Sequence, residues 1–265
     1  NKLPLAGGTM TGTIAGFTST GIDDNATSTA VTIDAAENVG IGVTPEAWHN
    51  DYRNLAVGGT GVLWSQKAVG TGKAMGVGQN VYYDGSNKYI TTDEATRYYQ
   101  ANGVHTFDVA SSGTADAAIS WTTAMTIDNN GIVTKPNQPV FDVHFSSSGS
   151  KSQGTIVHDV TVVDIGGNHS TSNGRFTAPV AGTYYFYTTF IKANTNTTSR
   201  RYIQKNGSSF ANGRHLRLDS GSSYGDNGTL AITVTLSAGD YVSVYQSDTD
   251  SYGEGYDYFG GHLIG

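Results

Sequence analysis

Asp248 to Asp257 reads Asp-Thr-Asp-Ser-Tyr-Gly-Glu-Gly-Tyr-Asp, placing the carboxylates of Asp248, Asp250, Glu254 and Asp257 in one glycine-containing loop. Asp226 stands in a second loop, Ser223-Tyr224-Gly225-Asp226-Asn227-Gly228. Calcium takes several carboxylate and carbonyl oxygens on flexible backbone. Asp248, Asp250, Glu254 and Asp257 are therefore a candidate calcium set, although their spacing is not that of an EF-hand and a solvated acidic loop is the plain alternative. The same loops carry Tyr224, Tyr252, Tyr256 and Tyr258. A tyrosine offers a flat apolar ring and a hydroxyl at low entropic cost, which suits recognition of sugars or protein surfaces. Tyr252 and Tyr256 are expected to point outward and Tyr258 inward. The candidate contact residues are thus Tyr224, Asp226, Asp248, Asp250, Tyr252, Glu254, Tyr256 and Asp257.

Other chemistry is weaker. Gly70-Thr71-Gly72-Lys73 has Lys67 and Ala74 where a phosphate loop needs Gly and Ser or Thr, so it reads as a glycine-rich hairpin loop. Gly40-Ile41-Gly42 lacks the βαβ setting of a dinucleotide site and reads as a strand whose glycines admit close approach of neighbouring chains. The seven histidines show no metal-ligand spacing. His262 falls in the predicted last strand, where copies around a threefold axis could face one another. No Ser-His-Asp order has supporting flanks, and the long parallel β-helix that usually carries glycan cleavage is missing from the strand pattern. No enzyme is expected.

These residues must be positioned by strands. Charged residues are only 14 %, glycines number 35 and prolines 5, and cysteines are absent. Glycine has no three-residue period, which excludes collagen. Alternating segments between Gly and Asn turns favour an all-β chain of one large or two medium domains. The net charge of -7 argues against a sequence-independent nucleic-acid binder. No apolar run is long enough to span a bilayer as a helix. The chain starts at Asn1 without Met, so a processed product or the ordered part of a longer protein is expected.

Thr29-Ala30-Val31-Thr32-Ile33-Asp34 is echoed by Thr123-Ala124-Met125-Thr126-Ile127-Asp128, each followed by an Asn-containing turn and a short strand, an internal hairpin repeat. Residues 48–122 form a β-rich insert, with one hairpin turning at Asp84-Gly85 or Ser86-Asn87 and another at Asn102-Gly103. A single helical turn is expected near Pro45-Glu46-Ala47-Trp48. Lys135 to Gln138 reads as a linker.

Beyond it, Phe176, Pro179, Gly182, Tyr184 and Phe186 form one block. The Asn206-Gly207 hairpin, the block Leu236, Gly239, Asp240, Val242, and the ending Phe259, Gly261, Leu263 follow in order. Together these blocks resemble the globular head of the complement C1q-like family, related to the tumour-necrosis-factor fold. The resemblance covers Pro139 to Gly265. It implies a jelly-roll sandwich that packs as a homotrimer, with Phe176, Tyr184, Phe186, Leu236, Val242, Phe259 and Leu263 in its core or trimer interface, and apex loops free for binding.

Leu3-Pro4-Leu5-Ala6-Gly7-Gly8-Thr9-Met10-Thr11-Gly12 is similar to a segment common in bacteriophage tail-fibre proteins, and the stretch from Ile33 to Pro45 also resembles repeats in phage fibres. The fold class expected is all-β: a fibrous trimeric shaft or shoulder followed by a C1q-like jelly roll. Residues 1–20 would be a fibre linker segment, 21–136 an intertwined shaft, and 137–265 the tip. The resemblances imply a virion fibre protein, the distal part of a tail fibre. It would adhere to a host surface glycan or protein and partner other fibre or tail proteins, without nucleic-acid binding or membrane insertion. The alternative is a head fibre or capsid decoration with the C1q-like domain as a trimerisation clamp.

Overall fold

The computed structural model describes residues 28–193, 198–210, 215–219, 226–247, 251–253 and 255–265. The fibre-like segment Leu3–Gly12 lies outside them. The described residues are β-strands, turns and bends without helix. The chain divides into two compact units between Val133 and Thr134.

The first unit is built on one nine-stranded sheet. Its strands run Val31–Ile33, Val39–Ile41, Tyr52–Val57, Gly61–Gln66, Ala74–Gln79, Asp93–Ala101, Val104–Gly113, Thr122–Ile127 and Val133–Thr134, each beside the next. Val39–Ile41 pairs with Tyr52–Val57 in parallel. A small hairpin, Tyr82–Tyr83 with Asn87–Lys88, is separate from this sheet. Its residues and Tyr89 pack with Trp48, Trp64, Val81 and Ala95, so apolar side chains of the hairpin and sheet share small cores.

The hairpin repeat has the same geometry at both copies. Asp34 Oδ1 accepts from the backbone N–H of Ala36 and Asn38, and Asp128 Oδ1 from those of Asn130 and Ile132. An aspartate that bonds its own backbone two and four residues on replaces ladder bonds in the turn. Asn102 and Gly103 both take positive φ, 55° and 74°, as a tight hairpin turn requires. The other insert hairpin turns over Asp84 to Ser86, because Asn87 is already paired with Tyr83. No helical turn forms at Pro45. The Trp48 N–H bonds the Glu46 carbonyl instead, and Trp48 is buried among aromatic rings. Burial of a large ring outweighs the weak helix preference of a four-residue segment. At Gly40 the close approach comes from within the chain: an added Cβ would lie 2.1 Å from the Val43 carbonyl oxygen.

The other face of this sheet carries a continuous apolar row. Ile33, Val39, Leu55, Leu63, Val77, Tyr98, Phe107 and Met125 are successive cross-strand partners on eight neighbouring strands. Directly paired residues share a face. Ile33, Leu63, Val77 and Phe107 are exposed, Val77 by 52 %.

The second unit is a two-sheet sandwich. One sheet orders Ser150–Lys151, Ser251–Tyr252, Gly182–Lys192, Tyr258–Leu263, Val140–His144 and Val160–Ile165, with Asn227–Leu236 also paired to Gly182–Lys192. The other orders His169–Ser170, Arg175–Thr177, Tyr241–Gln246, Ser199–Lys205 and Ser208–Ser209, with Gly154–Thr155 and His215–Leu218 on its flanks. Alternate residues point inward. Phe141, Val143, Tyr184, Phe186 and Phe259 from one sheet meet Phe176, Ile203, Val242 and Val244 from the other, all at most 1 % exposed. Leu236 joins this core fully buried, and half-buried Leu263 packs against it.

Candidate functional site

The inward rows of the sandwich change character along the strands. On Gly182–Lys192 the fully buried positions run Tyr184, Phe186, Thr188, Phe190, Lys192. Opposite them, Ile203 gives way to Arg201 and Ser199, and Val244 to Gln246. One end of the sandwich is therefore plugged by polar side chains, Ser199, Arg201, Lys192 and Gln246 among them.

Asp257 is the centre of the plug. Arg201 donates to both of its carboxylate oxygens, Nη1 to Oδ1 at 2.8 Å and Nη2 to Oδ2 at 2.7 Å. His158 Nε2–H donates to Oδ1 at 2.9 Å. Arg201 Nη2 also reaches Gln246 Oε1 at 2.9 Å, and Gln246 Nε2 donates to the Lys151 carbonyl. The guanidinium carbon lies 4.7 Å from the Phe190 ring centre. Burial alone would raise the Asp257 carboxyl; the charge of Arg201 and the hydrogen bonds from His158 and Arg201 instead hold it below its ordinary value. A bidentate, fully desolvated pair fixes geometry as well as charge.

Lys192 supplies the second clamp. Its side chain is fully buried, and Nζ donates to the Asp219 carbonyl at 2.6 Å, while its backbone N–H bonds the Asp226 carbonyl. Backbone pairing of Ser251 with both Lys192 and Lys151 holds the short Ser251–Tyr252 strand between two neighbours.

Of the sequence candidates, Tyr224, Asp248, Asp250 and Glu254 lie outside the described residues. Asp226 is half-buried. Tyr256 is 54 % exposed, and its ring centre is 6.4 Å from that of half-buried Tyr252. Asp257 does not belong with them. It is fully buried, and both oxygens are committed to Arg201 and His158, so it offers neither a surface contact nor a free calcium ligand. Neighbouring Phe259 points into the core, so Tyr258 takes the outer face of its sheet, its hydroxyl donating to the Gly255 carbonyl. Among the described residues no group of three or more His, Asp or Glu side chains is placed to hold a metal ion.

A His-Asp pair is also what a hydrolase uses to orient its base. Here His158, Asp257 and Arg201 are all fully buried and the arginine neutralises the carboxylate, so no substrate reaches the pair. The arrangement is structural. Sequence reasoning missed Lys192, Arg201, His158 and Gln246. The signal for two of them was phase: Lys192 continues the inward series Tyr184, Phe186, Phe190, and Arg201 stands two residues before inward Ile203.

A second histidine, His169, lies flat against Phe141, ring centres 5.2 Å apart and nearly parallel. Burial, then the nearby His158, pushes it down to about 4, against a smaller opposing effect of Asp164.

These two sheets, their register and their closing strand invite comparison with known sandwiches. Residues 140–264 match the C1q domain family. The C-terminal part has a C1q-like jelly-roll fold. Among solved structures, the globular domain of zebrafish complement 1qA protein is similar at 18 % identity, over 48 % of this chain and 98 % of that one, with a TM-score of 0.39. Murine APRIL is similar at 15 % identity over 48 % and 99 %, TM-score 0.36. The Eiger TNF of S. frugiperda is similar at 12 % identity over 49 % and 94 %, TM-score 0.36. A search of the curated proteins finds no match.

Proposed function

We propose that this chain is the distal part of a bacteriophage tail fibre, carried on the virion surface, and that its C1q-like unit is a trimeric tip that binds a host-surface glycan or protein. The observation that carries the reading is the presence, beside a C1q-like sandwich in one chain, of a sheet whose eight-residue apolar row leaves Ile33, Leu63, Val77 and Phe107 exposed. Exposed contiguous apolar surface of this kind marks a protein-protein contact, and copies of the same chain around a threefold axis would cover it. The outer face of the sandwich carries Tyr185 and His262, whose rings lie 5.5 Å apart, as aromatic material for a subunit contact of its own. The phage assignment is supported by the likeness of Leu3–Gly12 to a tail-fibre segment, and implies other fibre or tail proteins as partners.

We assign the binding surface to the segments around residues 219–226 and 248–257, with Tyr252, Tyr256, Tyr224 and Asp226 as contacts. C1q-like domains serve generally as binding or structural modules rather than enzymes, and exposed Tyr256 beside Tyr252 suits a binder. Calcium, if the loops take it, would rest on Asp248, Asp250 and Glu254 without Asp257. Three tips per fibre would turn weak single contacts into useful avidity.

The test is adsorption of the labelled full chain to candidate host cells, with and without a calcium chelator. Saturable binding, displaced by unlabelled protein and weakened several-fold by Tyr256→Ala, is expected. Absence of binding to a host that the virus infects would replace adhesion with the head-fibre or decoration role.

A further inference from the structure

The first unit contains a cavity of about 200 Å³ walled by Trp48, Tyr52, Trp64, Tyr83 and Tyr99, with Asn87 and Arg97 also lining it. Its construction follows from the sheet register. Trp64, Gly76 and Tyr99 are successive cross-strand partners on the covered face. Gly76 has no Cβ, and one placed there would sit 2.7 Å from the Trp64 ring, so the glycine lets the indole spread over the sheet. Trp48, Tyr52 and Tyr83 complete the wall, Tyr52 lying 5.7 Å from Trp64 and 4.9 Å from Tyr83 between ring centres.

The polar groups are held in place. Arg97 Nε donates to buried Asp108 at 2.9 Å and Nη1 to Asn87 Oδ1 at 3.2 Å, while its guanidinium carbon lies 4.5 Å from both the Tyr99 and Trp121 rings. Nη2 of Arg97 and the amide nitrogen of Asn87 remain as donors fixed in direction. Burial, then the neighbouring Tyr83 and Asp51, raises the Tyr52 hydroxyl, which stays neutral and able to donate.

From this geometry we infer that the N-terminal unit carries a saccharide site for a neutral hexopyranose ring. The electropositive C–H face of a pyranose packs on the negative faces of aromatic rings, and its hydroxyls need a few rigid donors and acceptors at the rim. The volume suits one ring rather than a drug-sized ligand. The charge of Arg97 is matched by Asp108, so an acidic sugar finds no unpaired cation there and gains nothing over a neutral one. The site is separate from the loops assigned to the tip and does not depend on adhesion by them.

The chain has three tryptophans, Trp48, Trp64 and Trp121; two wall the cavity and the third stacks on Arg97. Tryptophan emission therefore reports on this site and not on the C-terminal unit. The full chain is titrated with D-glucose, D-galactose, D-mannose and N-acetyl-D-glucosamine, and with D-glucuronic acid as the charged counterpart. At least one neutral sugar should change the emission saturably, with half-saturation on the order of 1 mM or weaker, as for a single ring with few contacts. Tyr83→Ala and Asn87→Ala, each checked for an unchanged melting temperature, should weaken that response about tenfold or more. Silence with all four neutral sugars, an unchanged response in a folded variant, or glucuronic acid binding more tightly than the neutral sugars would each overturn the assignment. None of those results bears on adsorption through the C-terminal unit.

Discussion

Arg201 and Asp257 set the energetics at the residue scale. A buried ion pair recovers its desolvation cost only with full hydrogen bonding, and removing one partner strands the other charge. Arg201→Met should therefore destabilise the second unit by about 3–5 kcal/mol at neutral pH, read by urea unfolding. Replacing both, Arg201→Met with Asp257→Leu, should recover much of that loss, since apolar side chains can fill the space without an unpaired charge. The pH dependence has a definite sign. The folded Asp257 carboxyl lies below its unfolded value, so its stabilisation is fully present above about pH 4 and fades as pH falls through the lower folded value. The gap between wild type and Arg201→Met should narrow in acid. An undiminished gap at low pH would mean that packing, not charge, is what Arg201 contributes.

The element of most consequence is the nine-stranded sheet. One face is covered by the aromatic hairpin and Trp48, and the other presents the row from Ile33 to Met125. Val77 stands near the middle of this row, exposed, with Leu63 and Tyr98 as its paired neighbours. Val77→Glu should leave the sheet folded, because the position costs little burial in one chain. In the proposed trimer it would bury a charge from each copy against apolar neighbours. Sedimentation should then show the full chain shifting from trimer to monomer with an unchanged circular dichroism spectrum. A variant that stays trimeric would place the subunit contact elsewhere.

At the scale of the whole molecule, the chain divides between Val133 and Thr134, and each unit has buried cores of its own. The second unit encloses an aromatic core and carries its own polar plug, and a unit with its own core can fold alone. A fragment of residues 134–265 should therefore melt cooperatively and keep the near-ultraviolet signal of its packed aromatic rings. A fragment that behaves as a molten state would mean that the core depends on the first unit. This independence also allows saccharide binding in one unit and surface adhesion in the other to be measured apart.

Much of the second unit was legible in the sequence. The inward alternation of Tyr184, Phe186 and Phe259, the Asn206-Gly207 turn with φ of 52° and 78°, and the strand ending at Leu263 all follow from period-two patterning and turn chemistry. So do the twin turns at Asp34 and Asp128, because an aspartate that bonds its own backbone acts locally. What local pattern could not decide was where a side chain meets a distant one. Asp257 reads as one more acid in a polar loop, yet Arg201 and His158, 56 and 99 residues earlier, draw it into the interior. Likewise, nothing local links Trp48, Trp64, Tyr83 and Arg97. They meet because sheet register and a folded-over hairpin bring them to one face, and only the tertiary structure sets that register.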